Sequence, residues 1–340
     1  MRDLIVAGGG PVGLSTALYA VRAGLDVGVR EPRVGVVDKA CGEGLMPGAV
    51  AALRDLDVDL DGHPITGIRY VDGTRSAQAR FRYGQGLGVR RTVLHDALTR
   101  RAEAVGIVPE QRPVREVLER GDHLLVDGEP TRYLIAADGL HSPVRRLLDL
   151  SGTPSRRRRY GQRAHVEMEP WTSCVEVHWS SIGEAYVTPV AAREVGIAVL
   201  TTERRSWDDL LTHFPLLVGR LEGRPHSRPL GAGPLRQRSR QRVRGRVLLV
   251  GDASGYVDAL TGEGIALGLA QAKAAVEAVA GNRPADYARD WRRLGWRHDL
   301  LTHGLVSATS LSPVRHRIVH AAAVLPGVFD AAVNQLARPA

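Results

Sequence analysis

The sequence predicts a mixed α/β fold in which a parallel β-α-β unit is interleaved with an antiparallel sheet and followed by helices. Three observations predict it. A short apolar run, Asp3–Ala7, passes through a glycine-rich turn into a segment of helical periodicity. The middle third, about residues 160–235, alternates with a period of two, most clearly in Cys174-Val175-Glu176-Val177-His178-Trp179. A second apolar strand pattern, Arg246–Val250, then returns after that stretch, so the two patterns interleave without a simple linker between them.

Taken in order, strand Asp3–Ala7 leads to a helix Pro11–Ala23, with proline in its first turn and Gly24 as its stop. Strand Asp26–Glu31 follows, then a stretch punctuated by glycine and proline, Pro32–Pro47, and a short helix. Ile65–Val71 and Ala77–Tyr83 read as strands, and a helix is expected from Arg91 to about Val105. Strands are expected near Val114–Leu118, His123–Val126 and Tyr133–Ala137. After Arg246–Val250 a helix is expected from Gly262 to about Ala280, and the C-terminus reads as helical and amphipathic. No internal repeat or low-complexity tract is visible.

Composition narrows the class. Of 46 basic residues only Lys39 and Lys273 are lysines, and the net charge is +9. Such a charge can attract nucleic acid, an anionic membrane or phosphorylated cofactors. The arginine clusters at 156–159 and 236–246 lack interleaved aromatic residues, so they read as solvated faces and no nucleic-acid partner is expected. Met1-Arg2-Asp3 runs straight into a short strand, and no apolar run is long enough to span a bilayer; a cytoplasmic protein is expected, with peripheral membrane contact as a second expectation. Cys41 and Cys174 lack metal-site spacing, and His316 and His320 have no third ligand nearby, so no metal is expected.

The first motif with chemistry in it is Gly8-Gly9-Gly10-Pro11-Val12-Gly13, a G-x-G-x-x-G between a strand and a helix. Gly8 permits the tight turn, Gly10 lets a pyrophosphate approach the backbone, and Gly13 lets helix and strand pack closely. The helix N-terminus offers unpaired N–H groups to phosphate. Glu31, at the end of the next strand, suits a ribose diol and repels a 2′-phosphate. This is a Rossmann-type dinucleotide site, and the motif alone does not separate FAD from NAD.

Later segments do. Ala137-Asp138-Gly139, then His141-Ser142-Pro143-Val144-Arg145-Arg146, resembles the D-G-x-x-S-x-V-R motif of single-component flavoprotein monooxygenases and their relatives. Gly251-Asp252-Ala253 resembles that family's G-D-A motif, whose Asp binds the ribityl chain of FAD. Arg91-x-x-Leu94-x-x-x-Leu98 is similar to the family helix whose Arg touches the FAD phosphates. In Asp258–Gly264 the resemblance implies a helix start aimed at the flavin ring, where Gly262, Gly264 and Ile265 lie. The resemblance implies non-covalent FAD, with NAD(P)H as a transient donor lacking its own Rossmann domain. Pro11, Val12 and Val114 complete the expected cofactor residues. It also implies a discontinuous FAD-binding domain of residues 1–60, 88–158 and 240–285. Residues 61–87 and 159–239 form the substrate domain, and helices 286–340 close the chain.

Within that family, Ser254-Gly255 after G-D-A and the loop Cys41-Gly42-Glu43-Gly44-Leu45 are similar to geranylgeranyl reductases, where a C-x-x-G loop lies beside the flavin. Tyr186-Val187-Thr188-Pro189 departs from the aromatic motif of those reductases and of the tryptophan halogenases, and no halogenase-type lysine is seen. Cys41 is the candidate catalytic residue; a small buried cysteine is the competing account. Glu43 reads as a proton donor or a surface carboxylate, the surface reading preferred. Trp171, Trp179, Tyr186 and Pro189 are candidates for the substrate cavity or for aromatic core packing. The expected activity is an NAD(P)H-dependent monooxygenase acting on a lipophilic, phenolic or polyketide-like molecule. A reductase of isoprenoid double bonds is the alternative, and a flavin-bearing membrane-surface protein is the non-enzymatic one.

Overall fold

The computed structural model describes residues 1–73, 75–155, 158–259, 262–309 and 317–338, the side chains of 297, 299 and 306–309 excepted. Its first sheet is built on parallel strands drawn from three distant segments. Arg2–Ala7 lies between Val27–Arg30 and Glu129–Ala136, and Glu129–Ala136 pairs in turn with Val247–Leu249, all in parallel. These strands read as nearly continuous apolar runs because both faces are covered. Leu4 and Val6 pack with the helices Pro11–Arg22, Arg91–Ala104 and Gly264–Ala280. Ile5 and Ala7 face the opposite cluster with Leu134, Ala136 and Leu249.

Val114 is in that second cluster, in a loop and not in a strand. The strand expected at Val114–Leu118 starts only at Val117. Asp127 Oδ1 accepts the N–H groups of Arg115 and Glu116, at 2.9 and 2.8 Å, and so removes two donors that a ladder would need.

The second sheet has the order Leu230–Ala232, Tyr160–Val166, Glu194–Thr201, Gly183–Ala191, Cys174–Ser180, Gly67–Asp72, Arg75–Arg80. It is antiparallel except where Cys174–Ser180 runs parallel to Gly67–Asp72. A small sheet of Gly44–Leu45, Gly86–Gly88 and His63–Ile65 ties the segment after Cys41 to it. Gly88 is needed there: a Cβ would lie 1.7 Å from the Pro189 carbonyl oxygen.

Helix Tyr287–Thr309 packs on Gly264–Ala280. Helices Ile318–Val324 and Pro326–Ala337 cover strand Arg75–Arg80, where Phe329 and Val333 meet Ala77 and Ala79. Asn334 locks the last helix to the sheet edge by accepting the Arg82 N–H at 2.7 Å and donating to the Arg80 carbonyl at 2.9 Å. Most of the amphipathic face therefore packs on the protein's own sheet, while Val324, Leu325 and Val328 remain exposed. No helix among the described residues is long and apolar enough to cross a membrane. His316 and the arginines at 156 and 157 lie outside the described residues.

Candidate functional site

The glycine turn is fixed by close approach. Gly8 has φ +104, and a Cβ there would meet the Ala137 carbonyl oxygen at 2.6 Å. A Cβ on Gly13 would sit 1.8 Å from the Gly8 carbonyl oxygen. Gly10 differs: its backbone is extended, φ −73 and ψ 177, and a Cβ would meet only an Arg91 guanidinium nitrogen at 3.7 Å. Gly10 N-caps the helix Pro11–Arg22 without a side-chain hydrogen bond, so the first-turn N–H groups stay available to an anion. Gly9 N–H donates to Glu31 Oε2 at 2.9 Å, and Arg33 donates to Glu31 Oε1 through Nε at 2.7 Å. Burial opposes the charge on Glu31, but the Arg33 and Gly9 hydrogen bonds outweigh it and hold the carboxyl below its ordinary range. Behind the turn, His95 Nδ1 accepts the Val37 N–H at 3.4 Å, so its Nε2 donates to the Gly9 carbonyl at 3.0 Å.

Next to the turn stand polar groups that lack protein partners. Arg91 Nε and Asp138 Oδ1 are buried without a hydrogen-bond partner among the described residues. The other Asp138 oxygen accepts the Val144 N–H at 2.9 Å. Burial raises the carboxyls of Asp138 and Asp252; nearby Lys39 and Arg91 partly offset this at Asp252. Lys39, one of the two lysines, reaches the same region: its Nζ is 3.1 Å from where a Gly139 Cβ would be.

A single cavity joins these groups to the second sheet. Gly10, Pro11, Val12, Arg91, Asp138, Gly139, Gly251 and Asp252 line one end. Cys41, Gly42, Gly44, Leu45, Gly262, Gly264 and Ile265 line its middle. A Cβ on Gly42 or Gly262 would meet nothing within 4 Å among the described residues, and both glycines line the cavity. The far end is apolar: Ile68, Val175, Val177, Tyr186 and Leu200 come from the sheet, and Leu305, Val333 and Leu336 close it from the C-terminal helices.

Seven expected site residues are not on this wall, Trp171 among them: its Nε1 donates to Glu176 Oε2 at 2.9 Å. Gly8 and Gly13 shape the turn, and Glu31 is engaged behind it. Val114 is core. Trp179 packs edge-on against Tyr70, centroids 5.4 Å apart, and Pro189 abuts Gly88. Sequence reasoning missed Arg33, Lys39 and Tyr256, all on the wall. It also misplaced Glu43, which is 3% exposed and lies within the Cys41 loop on the same wall. Thr188, the departure in the aromatic motif, has a partner there: its Oγ1 donates to the Gly42 carbonyl at 2.8 Å.

The model of one family, the FAD binding domain, matches residues 1–281. The chain belongs to that family. Its relatives include the menaquinone reductase of Mycolicibacterium smegmatis, 30% identical over 349 residues that cover 87% of this chain and 80% of the relative. Another is digeranylgeranylglycerophospholipid reductase 1 of Methanothermobacter thermautotrophicus, 27% identical over 295 residues, 78% of this chain and 74% of the relative. The solved structure of the flavin-dependent brominase Bmp2 is similar in fold, with a TM-score of 0.79 at 17% identity over 99% of this chain and 93% of that one.

The residues present fit FAD. An unpartnered arginine beside Gly10 and an uncapped helix N-terminus suit a pyrophosphate; Asp252 faces the cavity where a polyhydroxyl chain can donate to it; glycine backbones 42 and 262 leave a flat gap beyond. The protein is an FAD-dependent oxidoreductase of mixed α/β fold with a Rossmann-type cofactor module.

Proposed function

We propose that this oxidoreductase reduces isoprenoid double bonds of a lipophilic carrier, with NAD(P)H as the electron donor. One observation carries the reading: the cavity that begins at the dinucleotide turn continues past the Cys41 loop into a slot walled by hydrocarbon and phenol side chains. A prenyl chain gains about 0.8 kcal/mol for each methylene taken out of water into such a slot. The relatives named as reductases of menaquinone and of a digeranylgeranyl lipid support the same direction.

FAD held by Gly10, Arg91, Asp138 and Asp252 would supply two-electron hydride chemistry between NAD(P)H and a carbon of the double bond. The chain's own residues supply orientation and the proton. The second carbon needs a proton, and the Cys41 thiol stands on the cavity wall between the two ends. Burial pushes that thiol above its ordinary range, which keeps it protonated and able to donate. The apolar end excludes water, so a hydride equivalent meets the alkene and not solvent.

The test is anaerobic. The FAD-loaded protein is given NADPH or NADH and a menaquinone with an unsaturated tail. NAD(P)H consumption with a product that stays two hydrogens heavier after its quinone ring is reoxidised supports the proposal. Turnover that needs oxygen and yields a product one oxygen heavier would sink it and favour hydroxylation.

A further inference from the structure

We propose that Glu43 is the positioning residue of the Cys41 loop, held in a buried polar clamp that fixes the thiol against the cavity. The inference rests on the reading that Cys41 faces the reaction, but its test does not need turnover.

The clamp has directional wiring. Arg163 Nη1 lies 3.1 Å from His165 Nδ1, and an arginine can only donate. His165 Nδ1 must therefore accept, which places the imidazole proton on Nε2. That proton goes to Glu43 Oε2, 2.7 Å away. The other carboxylate oxygen accepts the Arg91 N–H at 2.9 Å, at the start of the helix Arg91–Ala104, where partial positive charge favours an anion. Glu43 thus joins a strand of the second sheet to a helix of the cofactor module. Its own N–H points back to Cys41 Sγ at 3.4 Å.

The rest of the loop is held to match. Glu43 has φ +58, a left-handed conformation that costs a non-glycine residue and persists only where surroundings impose it. Arg163 also pairs with Asp38, and its Nη2 donates to the Lys39 carbonyl at 3.3 Å. Gly196 makes room, since a Cβ there would lie 2.8 Å from Glu43 Oε2. Glu43, Arg163 and His165 are each no more than 3% exposed, so a surface role does not explain them. An acceptor-only group is required at position 43: it receives donors from both sides.

This polarity makes the isosteric change diagnostic. In Glu43→Gln one oxygen becomes an NH2 and opposes either the His165 or the Arg91 donor. A residue that merely fills space would tolerate the swap. The experiment uses the FAD-loaded protein in a Cys174→Ala background, which leaves Cys41 as the one thiol. Iodoacetamide alkylation of Cys41 is followed by mass, and the visible flavin band reports cofactor retention. Glu43→Gln and, separately, His165→Phe are expected to alkylate at least about tenfold faster while keeping the flavin band. Rates within about twofold of the parent in both variants would overturn the proposal. Loss of FAD from both would also overturn it, because that outcome would assign Glu43 to cofactor binding through the Arg91 helix and not to positioning the thiol. If anaerobic turnover is absent in the parent but alkylation responds as expected, the clamp stands and the proposed reaction fails.

Discussion

Gly10 and Gly13 belong to one motif but answer to different constraints, and alanine separates them. At Gly10 the backbone is extended and a Cβ meets one flexible guanidinium end at 3.7 Å, an ordinary contact. Gly10→Ala is expected to leave the FAD-free protein as stable as the parent, or more stable by about 0.4–1 kcal/mol through a less flexible unfolded chain. Its methyl group occupies the face that a pyrophosphate approaches. Losing one charge-assisted hydrogen bond costs about 1.5–3 kcal/mol, which raises the FAD Kd by roughly 10- to 150-fold. At Gly13 the Cβ would sit 1.8 Å from a carbonyl oxygen, so helix and strand must separate. Overpacking of that kind costs about 3 kcal/mol or more. With about 2.1 cal/mol/K of unfolding entropy per residue, the 340 residues give a Tm drop of roughly 4 °C or more. Differential scanning fluorimetry of the FAD-free proteins and fluorescence titration with FAD measure both. A Gly10→Ala variant that binds FAD like the parent, or a Gly13→Ala variant with unchanged Tm, refutes the assignment of the two glycines.

Three further outcomes are expected. Burial raises the Asp252 carboxyl in the FAD-free fold, so its favourable contribution is present at low pH and lost as pH rises through the folded-state pKa; FAD-free Asp252→Asn should melt above the parent at pH 8, converge with it near pH 4, and bind FAD at least about tenfold more weakly in titrations. Cys41→Ser should retain FAD, seen by the flavin band, and lower anaerobic kcat on the unsaturated menaquinone by about tenfold or more with little change in KM; an unaltered kcat removes Cys41 from proton transfer. Val324, Leu325 and Val328 are exposed where the last two helices meet, and the second of these reaches the cavity through Val333 and Leu336, and the chain is strongly basic; co-sedimentation with anionic vesicles is expected at low salt and is expected to weaken about tenfold for a Leu325→Asp/Val328→Asp pair, with equal sedimentation of both proteins opposing a membrane-facing entrance.

The parallel core was legible because strands buried on both faces have little choice but to be apolar throughout, as in Leu4–Ala7 and Tyr133–Ala136. The dinucleotide turn was legible because Gly8 and Gly13 are steric necessities at fixed spacing. What escaped was set by distance along the chain or by missing side-chain signal. Strand Gly86–Gly88 is Gly-Leu-Gly, with no β-forming residues to announce it, yet it carries the sheet that anchors the Cys41 loop. The parallel pairing of Gly67–Asp72 with Cys174–Ser180 joins strands about a hundred residues apart, and alternation does not name the neighbour. Glu43 looked exposed because a glutamate between glycines normally is; its partner His165 is 122 residues away. Thr188 read as a flaw in an aromatic motif until its Oγ1 was found on the Gly42 carbonyl.

The brominase Bmp2 shares the fold, so the fold does not choose the reaction. The choice falls to the junction between the cofactor end and the sheet, and there the charges are placed unevenly. Glu43, His165 and Arg163 are paired with one another where the cavity passes the Cys41 loop, while its far end is walled by Val175, Val177, Leu200 and the ring of Tyr186. Unpaired charge on that front wall would hold water in the slot and favour a polar substrate. Pairing the charges at the loop lets the loop be rigid and keeps free charge off this apolar front. A dry apolar front stabilises no charge on the substrate, which suits an uncharged alkene and works against a phenol that must lose its proton to become electron-rich. On the proposed reading, the buried clamp and the hydrocarbon slot are therefore one device, and disturbing the first should admit water to the second before it releases FAD.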